Sequence, residues 1–147
     1  QNYTPEQSVG YLLKRVLLSI VYQADKRLGT HDLTSAQWGP MLNLRMRGPT
    51  TVAELARLAP IDAGAMTRLL DRLEKKGLCK RVRSTEDRRV VMVELTPQGE
   101  VAIQKVPEVL ADVMNMHLSG FSKAEFTALK GLLSRMVETG DALRDSG

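Results

Sequence analysis

Apolar residues follow helical spacing from Ser8 to Lys76, lose it after Gly77 for two short β-branched segments, and regain it at Thr96. One brief β interruption in an otherwise helical chain restricts the fold to a mainly α architecture that carries a single small hairpin. The hairpin strands are read at 79–83 and 89–95, with the polar run Ser84-Thr-Glu-Asp-Arg88 as a charged tip.

The helices on either side announce their own ends. A first long helix spans 8–28, with Val9, Leu13, Val16, Ile20 and Ala24 on one stripe and Tyr11, Leu18 and Tyr22 beside it. Apolar cover this broad requires two packing partners. Residues 29–33 break the pattern. Thr34-Ser-Ala-Gln37, Thr51-Val-Ala-Glu54 and Ser122-Lys-Ala-Glu125 have capping-box form and each opens a helix. Pro40 inside the second helix is expected to cost a hydrogen bond or produce a kink. Pro60-Ile-Asp62 makes a turn, Asp62 caps the fourth helix, and Gly77 stops it. Thr96-Pro97 starts a fifth helix that extends to about Leu118, bent at Pro107. The order is four helices, hairpin, two helices.

At 147 residues the chain buries a core without staples. Cys79 is its one cysteine, so an internal disulfide framework is excluded. His31 and His117 are its two histidines, and neither has a partner at zinc-ligand spacing; no metal or cofactor is expected. His31 is read as an exposed loop residue. Enzyme function would need a nucleophile with its base, or a metal cluster, and the chain offers neither. The absence of a long apolar span or of a basic-then-apolar leader points to a cytoplasmic protein.

The net charge of +4 is unevenly distributed: +1 over 1–44, +5 over 45–95 and −2 over 96–147. Nine Lys or Arg residues stand against four acids in 68–89. A basic segment between near-neutral ends suits phosphates, although a solvated helix face with a charged hairpin gives the same count.

Two short helices, a tight turn and a basic hairpin make a winged helix-turn-helix. On the second of these helices Met66, Leu69, Leu70 and Leu73 line the anchoring face. Gly64, Arg68, Asp71 and Lys75 lie opposite, flanked by Ala63 and Thr67. The candidate DNA contacts are Ala63, Gly64, Thr67, Arg68 and Arg72 on the helix and Arg83, Arg88 and Arg89 on the wing. Arg68 is placed to pair bidentately with guanine. One of Arg88 and Arg89 suits the narrow minor groove, and the other pairs with Asp87 to hold the wing; sequence leaves that assignment open.

These residues resemble the MarR-type winged-helix transcriptional regulators. The matching pieces are Thr51-Val-Ala-Glu-Leu-Ala56, Met66-Thr-Arg-Leu-Leu-Asp-Arg-Leu73, Lys76-Gly-Leu78, Asp87-Arg-Arg89 and Leu95-Thr-Pro-Gln-Gly99, in that order across nearly the whole chain. Pro40 after Trp38 departs from the pattern. The resemblance implies a homodimer on double-stranded DNA with a palindromic operator. It also implies repression, with release by a small phenolic or aromatic acid or by oxidation. The DNA-binding lobe is then 34–95, and 8–33 with 96–145 forms a helical dimerisation region. Phe126, Leu129, Leu133, Met136, Gly140 and Leu143 give that region a heptad-like seam, beside a stripe of Ala102, Val106, Val109, Val113 and Met116. An intramolecular bundle is the alternative. An effector pocket would draw on Arg15, Tyr22, Trp38, Met41, Met114 and His117. Two other readings stand beside the repressor: a winged-helix protein-interaction module, and an oxidant sensor using Cys79. Lys80 and Arg81 would lower the Cys79 thiol pKa, but no second cysteine exists to resolve it, and a structural role for Cys79 is the favoured reading.

Overall fold

The computed structural model describes residues 4, 7–29, 35–59 and 61–146. The expected cap at Thr34, the turn residue Pro60 and the loop residue His31 lie outside them. In chain order the elements are α1 (Val9–Leu28), α2 (Ser35–Arg47), β1 (Thr50–Thr51), α3 (Val52–Arg57), α4 (Ala63–Lys75), β2 (Cys79–Arg83), β3 (Val91–Leu95), α5 (Pro97–Ala102), α6 (Val106–His117) and α7 (Lys123–Ser146). They fall into two compact units, 1–113 and 114–147. Among the described residues no helix is long and apolar enough to cross a membrane.

Caps fix the boundaries where the sequence places them. The Thr51 hydroxyl accepts the Glu54 N–H at 3.1 Å, and the Asp62 carboxylate accepts the Ala65 N–H at 2.8 Å. Ser122 and Glu125 satisfy each other's backbone N–H groups at 3.1 and 2.8 Å, a complete reciprocal box at the start of α7. Helix α4 ends in a Schellman turn: Gly77 adopts φ +74°, its N–H reaches the Glu74 carbonyl, and the Leu78 N–H reaches that of Leu73. A side chain at Gly77 would be strained in that conformation and would meet Gln98.

Three expectations are corrected. The helix read from 96 to 118 is two helices, separated by a turn at 103–105. Pro107 has no N–H for the carbonyl of residue 103 and its ring excludes that carbonyl, so the break falls one turn upstream. Pro107 itself then sits in the first turn of α6, where an N–H goes unpaired anyway. The turn aims both Ile103 and Val106 into the core, fully buried. Second, the hairpin is part of a three-stranded antiparallel sheet of order β1-β3-β2, with Thr50 opposite Val93 and Thr51 opposite Met92. Two residues ahead of a helix cap carry no periodicity, so β1 left no signal. Third, β3 begins at Val91 rather than Arg89, because the Arg89 and Val90 N–H groups both bond to Asp87 in the wing turn. Helix α2 passes through the buried Pro40 and forgoes the single bond that residue 36 would accept.

The core of the first unit joins Ala24 and Leu28 of α1 to Trp38, Met41 and Leu44 of α2, Leu55 of α3 and the inner face of α4. Cys79, Val93, Ile103 and Val106 complete it. The Trp38 indole N–H donates to Asp25 at 3.1 Å, which fixes α2 on the last turns of α1. The second unit consists of the end of α6 and α7, and α7 buries none of its 24 residues.

Gly99 locks the sheet to α5. A Cβ there would lie 2.0 Å from the Leu78 carbonyl oxygen, the same oxygen that accepts the Thr96 N–H. Gly→Ala inside a helix is ordinarily stabilising by about 0.5–1 kcal/mol. Gly99→Ala is expected to reverse that sign and destabilise by about 2–3 kcal/mol, because backbone must move to admit the methyl group. Urea unfolding monitored by circular dichroism checks this; a stability equal to the parent chain would contradict the close approach.

Candidate nucleic-acid interface

Helix α4 is anchored on one side and open on the other. Met66, Leu69, Leu70 and Leu73 are at most 3% exposed, and their spacing of three and four residues fixes the rotation of the helix about its axis. Ala63, Gly64, Thr67, Arg68, Asp71 and Arg72 are consequently exposed. The small residues at the start keep the first turn low. Arg68 lies over it, with Nη1 3.6 Å from the point a Cβ on Gly64 would occupy. The Thr67 hydroxyl donates back to the Ala63 carbonyl at 2.9 Å. The guanidinium groups of Arg68 and Arg72 have no hydrogen bond or ion pair to other described residues.

The wing is a folded turn and not a loose loop. The Ser84 hydroxyl accepts the N–H groups of Glu86 and Asp87 at 3.2 and 3.3 Å, and the Ser84 N–H reaches the Val90 carbonyl at 2.9 Å. Asp87 accepts the backbone N–H of Arg89 at 3.0 Å and its guanidinium at 3.1 and 3.2 Å. Those bonds, the side-chain one first, hold the Asp87 carboxyl below the usual range. Arg89 is therefore the partner of Asp87, and its guanidinium remains 90% exposed. Arg83 donates to the Arg88 carbonyl, which orients the tip. The Arg88 side chain projects without a partner among the described residues.

A helix anchored by one face, with arginines on the other and a basic hairpin beside it, is the geometry of a winged helix-turn-helix. The family model for the MarR family matches residues 33–91, from just ahead of α2 to the first residue of β3. A solved transcriptional regulator is 31% identical, with 92% of this chain and 99% of that one covered and a TM-score of 0.84. A mutant MarR from E. coli, solved in complex with operator DNA, is 28% identical over 87% of this chain and 92% of that one, with a TM-score of 0.75. BpsR of Bordetella bronchiseptica, solved to explain regulation of its DNA binding by 6-hydroxynicotinic acid, is 26% identical over 93% and 98% of the two chains, with a TM-score of 0.78.

The chain belongs to the MarR family. It is a DNA-binding transcriptional regulator and not an enzyme.

Within this MarR-family regulator the six expected effector-site residues occupy different settings. Arg15 and Tyr22 are exposed on α1, Arg15 with its guanidinium 6.0 Å from the Tyr11 ring. Trp38 and Met41 are buried in the core. Met114 and His117 belong to the second unit.

The sequence analysis named Arg81 only as a neighbour of Cys79; in the structure it links β2 to α4. Its guanidinium reaches Asp71 at 2.8 Å, Glu74 at 3.2 Å and the Thr67 carbonyl at 3.4 Å. The signal was available: side chains two apart on a strand share a face, so Arg81 must lie on the side where Cys79 packs against α4.

Cys79 is 2% exposed, and its thiol donates to the Leu70 carbonyl at 3.8 Å. Burial, and then the nearby Glu74 carboxylate, push its pKa up to about 11, outweighing the lowering effect of Arg81. At pH 7 only on the order of one thiol in ten thousand is ionised. Alkylation of the native protein by iodoacetamide should run at least about a hundredfold slower than that of the urea-unfolded chain. Equal rates would show that the thiol is open and reactive, as an oxidant sensor requires.

Proposed function

We propose that this protein is a ligand-responsive repressor that binds a pseudo-palindromic DNA operator as a homodimer. The observation that carries this reading is the outward face of α4, where Arg68 stands unpaired above Gly64 while the opposite face is locked in the core. In the major groove Ala63 and Gly64 permit close approach, Arg68 pairs with a guanine edge, and Thr67 and Arg72 flank it. Arg83, Arg88 and Arg89 of the wing serve the adjacent backbone and minor groove, with Asp87 holding the tip in shape.

A second copy of the chain accounts for the uncovered apolar residues. On α1, Val9, Val16, Leu17 and Leu18 are each about half exposed or more, and on α7 Met136, Val137 and Leu143 are likewise. Apolar surface of this extent marks an interface. The dimerisation region 8–33 with 96–145, apart from the lobe at 34–95, follows from that reading. Two-fold symmetry then presents two equal recognition helices, with half-site centres about 10 bp apart or a multiple of that.

Arg68→Ala should cost roughly 1–3 kcal/mol on a specific duplex and much less on random DNA. Arg88→Ala and Arg89→Ala should weaken both more evenly and make the salt dependence shallower. Mobility-shift titrations on a duplex that the protein selects from a randomised pool measure this, with sedimentation equilibrium reading a dimer mass on the same samples. Equal losses for Arg68→Ala on both DNAs would remove its reading role, and a monomer mass would remove the symmetric operator.

The effector we assign is an aromatic carboxylate anchored by the exposed Arg15 of α1. The exposed Arg15 supplies a fork of donors for a carboxylate, and the similarity to BpsR, whose DNA binding 6-hydroxynicotinic acid regulates, supports the ligand class. Such a ligand acts through its different affinity for two conformations, a coupling of about 1–3 kcal/mol. Nicotinate- and salicylate-type acids should release the complex, and Arg15→Ala should blunt the release. No release by any such acid would remove the ligand class; undiminished release from Arg15→Ala would remove the anchor.

A further inference from the structure

The exposed side of α4 carries a contradiction. Asp71 follows Arg68 by three residues, which puts a carboxylate on the face proposed to meet DNA, and Glu74 lies one turn further on. Both are substantially exposed, 53% and 42%. A carboxylate within about 10 Å of the phosphate backbone opposes binding, since charges at that distance are only partly screened.

Arg81 resolves the contradiction. Its Nη2 pairs with Asp71 at 2.8 Å and donates to the Thr67 carbonyl at 3.4 Å, while its Nη1 pairs with Glu74 at 3.2 Å. Its backbone N–H donates to the other Glu74 oxygen at 3.2 Å. One guanidinium, only 26% exposed, thus answers two acids and one carbonyl of the recognition helix from the first strand of the wing. The planar fork suits this, because its donors diverge along fixed directions; an ammonium has a single charge centre to offer. The opposite wall of the strand pair carries its own match, Lys80 to Glu94 at 3.3 Å, so Arg81 is not drawn away.

We infer that Arg81 is a positioning residue for DNA binding: it neutralises Asp71 and Glu74 on the helix proposed to read DNA, without itself reading bases. This rests on the assignment of α4 as the DNA-reading helix. The charge mask is separable from a direct DNA contact, because it becomes dispensable once the acids it covers are gone.

The test uses the full chain and a duplex selected by the wild-type protein from a randomised pool. Arg81→Met should weaken binding by about tenfold or more at low salt. Adding Asp71→Asn and Glu74→Gln to Arg81→Met should restore affinity to within about threefold of the wild type, although no cation has been returned. Arg81→Lys should fall between. Unchanged binding by Arg81→Met overturns the inference. So does a defect that the two neutral replacements leave in place, since Arg81 would then act by something other than covering those two acids. Where Arg81→Met does not fold, the Arg81→Lys defect and its rescue by the same two replacements decide by the same criterion. A wild-type chain that selects no sequence at all would fail the reading of α4 instead, with the inference about Arg81 falling along with it for a distinguishable reason.

Discussion

The burial of Met66, Leu69, Leu70 and Leu73 is the constraint on which everything functional in this chain depends. Four apolar side chains at helical spacing leave α4 a single rotation about its axis, and that rotation decides which residues face away from the core. Arg68 is outward because Leu69 and Leu70 are inward. The Asp62 cap sets where the helix starts, and the Gly77 Schellman turn sets where it stops. A slip of one residue at either end would swap a leucine for an arginine at the surface.

The wing extends the same constraint. Gly77 turns the chain directly from α4 into β2, Cys79 seats that strand on the Leu70 carbonyl, and Arg81 closes it on Asp71 and Glu74. The Thr96 hydroxyl returns to the Gly77 carbonyl, and Gly99 lets α5 approach the Leu78 carbonyl. The hairpin is thereby tied to α4 at its base, while its tip is shaped by Ser84 and Asp87. A base so fixed lets Arg68 and the tip arginines act as one surface.

Much of this was legible in the sequence because caps and glycines act locally. Thr51, Asp62, Thr96 and Ser122 each bond the N–H three residues on, so four residues suffice to read each helix start. The anchoring and outward faces of α4 follow from periodicity alone. What escaped depends on partners far along the chain. Thr50 and Thr51 become a strand only because Met92 and Val93 lie beside them. The Trp38 bond to Asp25 spans thirteen residues, and Arg81 meets acids seven and ten residues earlier. The choice between Arg88 and Arg89 as partner of Asp87 turned on wing geometry that two adjacent arginines do not encode. For Cys79 the neighbouring cations and the missing resolving partner pulled the sequence reading in opposite directions; burial has the largest effect on the thiol and agrees with the favoured structural role.

Under the proposed function, Arg68 reads a guanine edge in the major groove. Replacing each guanine of the selected duplex in turn by 7-deazaguanine removes the N7 acceptor and leaves Watson–Crick pairing intact. One guanine in each half-site is expected whose replacement weakens the wild-type protein by about tenfold and leaves Arg68→Ala unaffected. If the wild type and Arg68→Ala lose affinity equally at every guanine, Arg68 does not read the base.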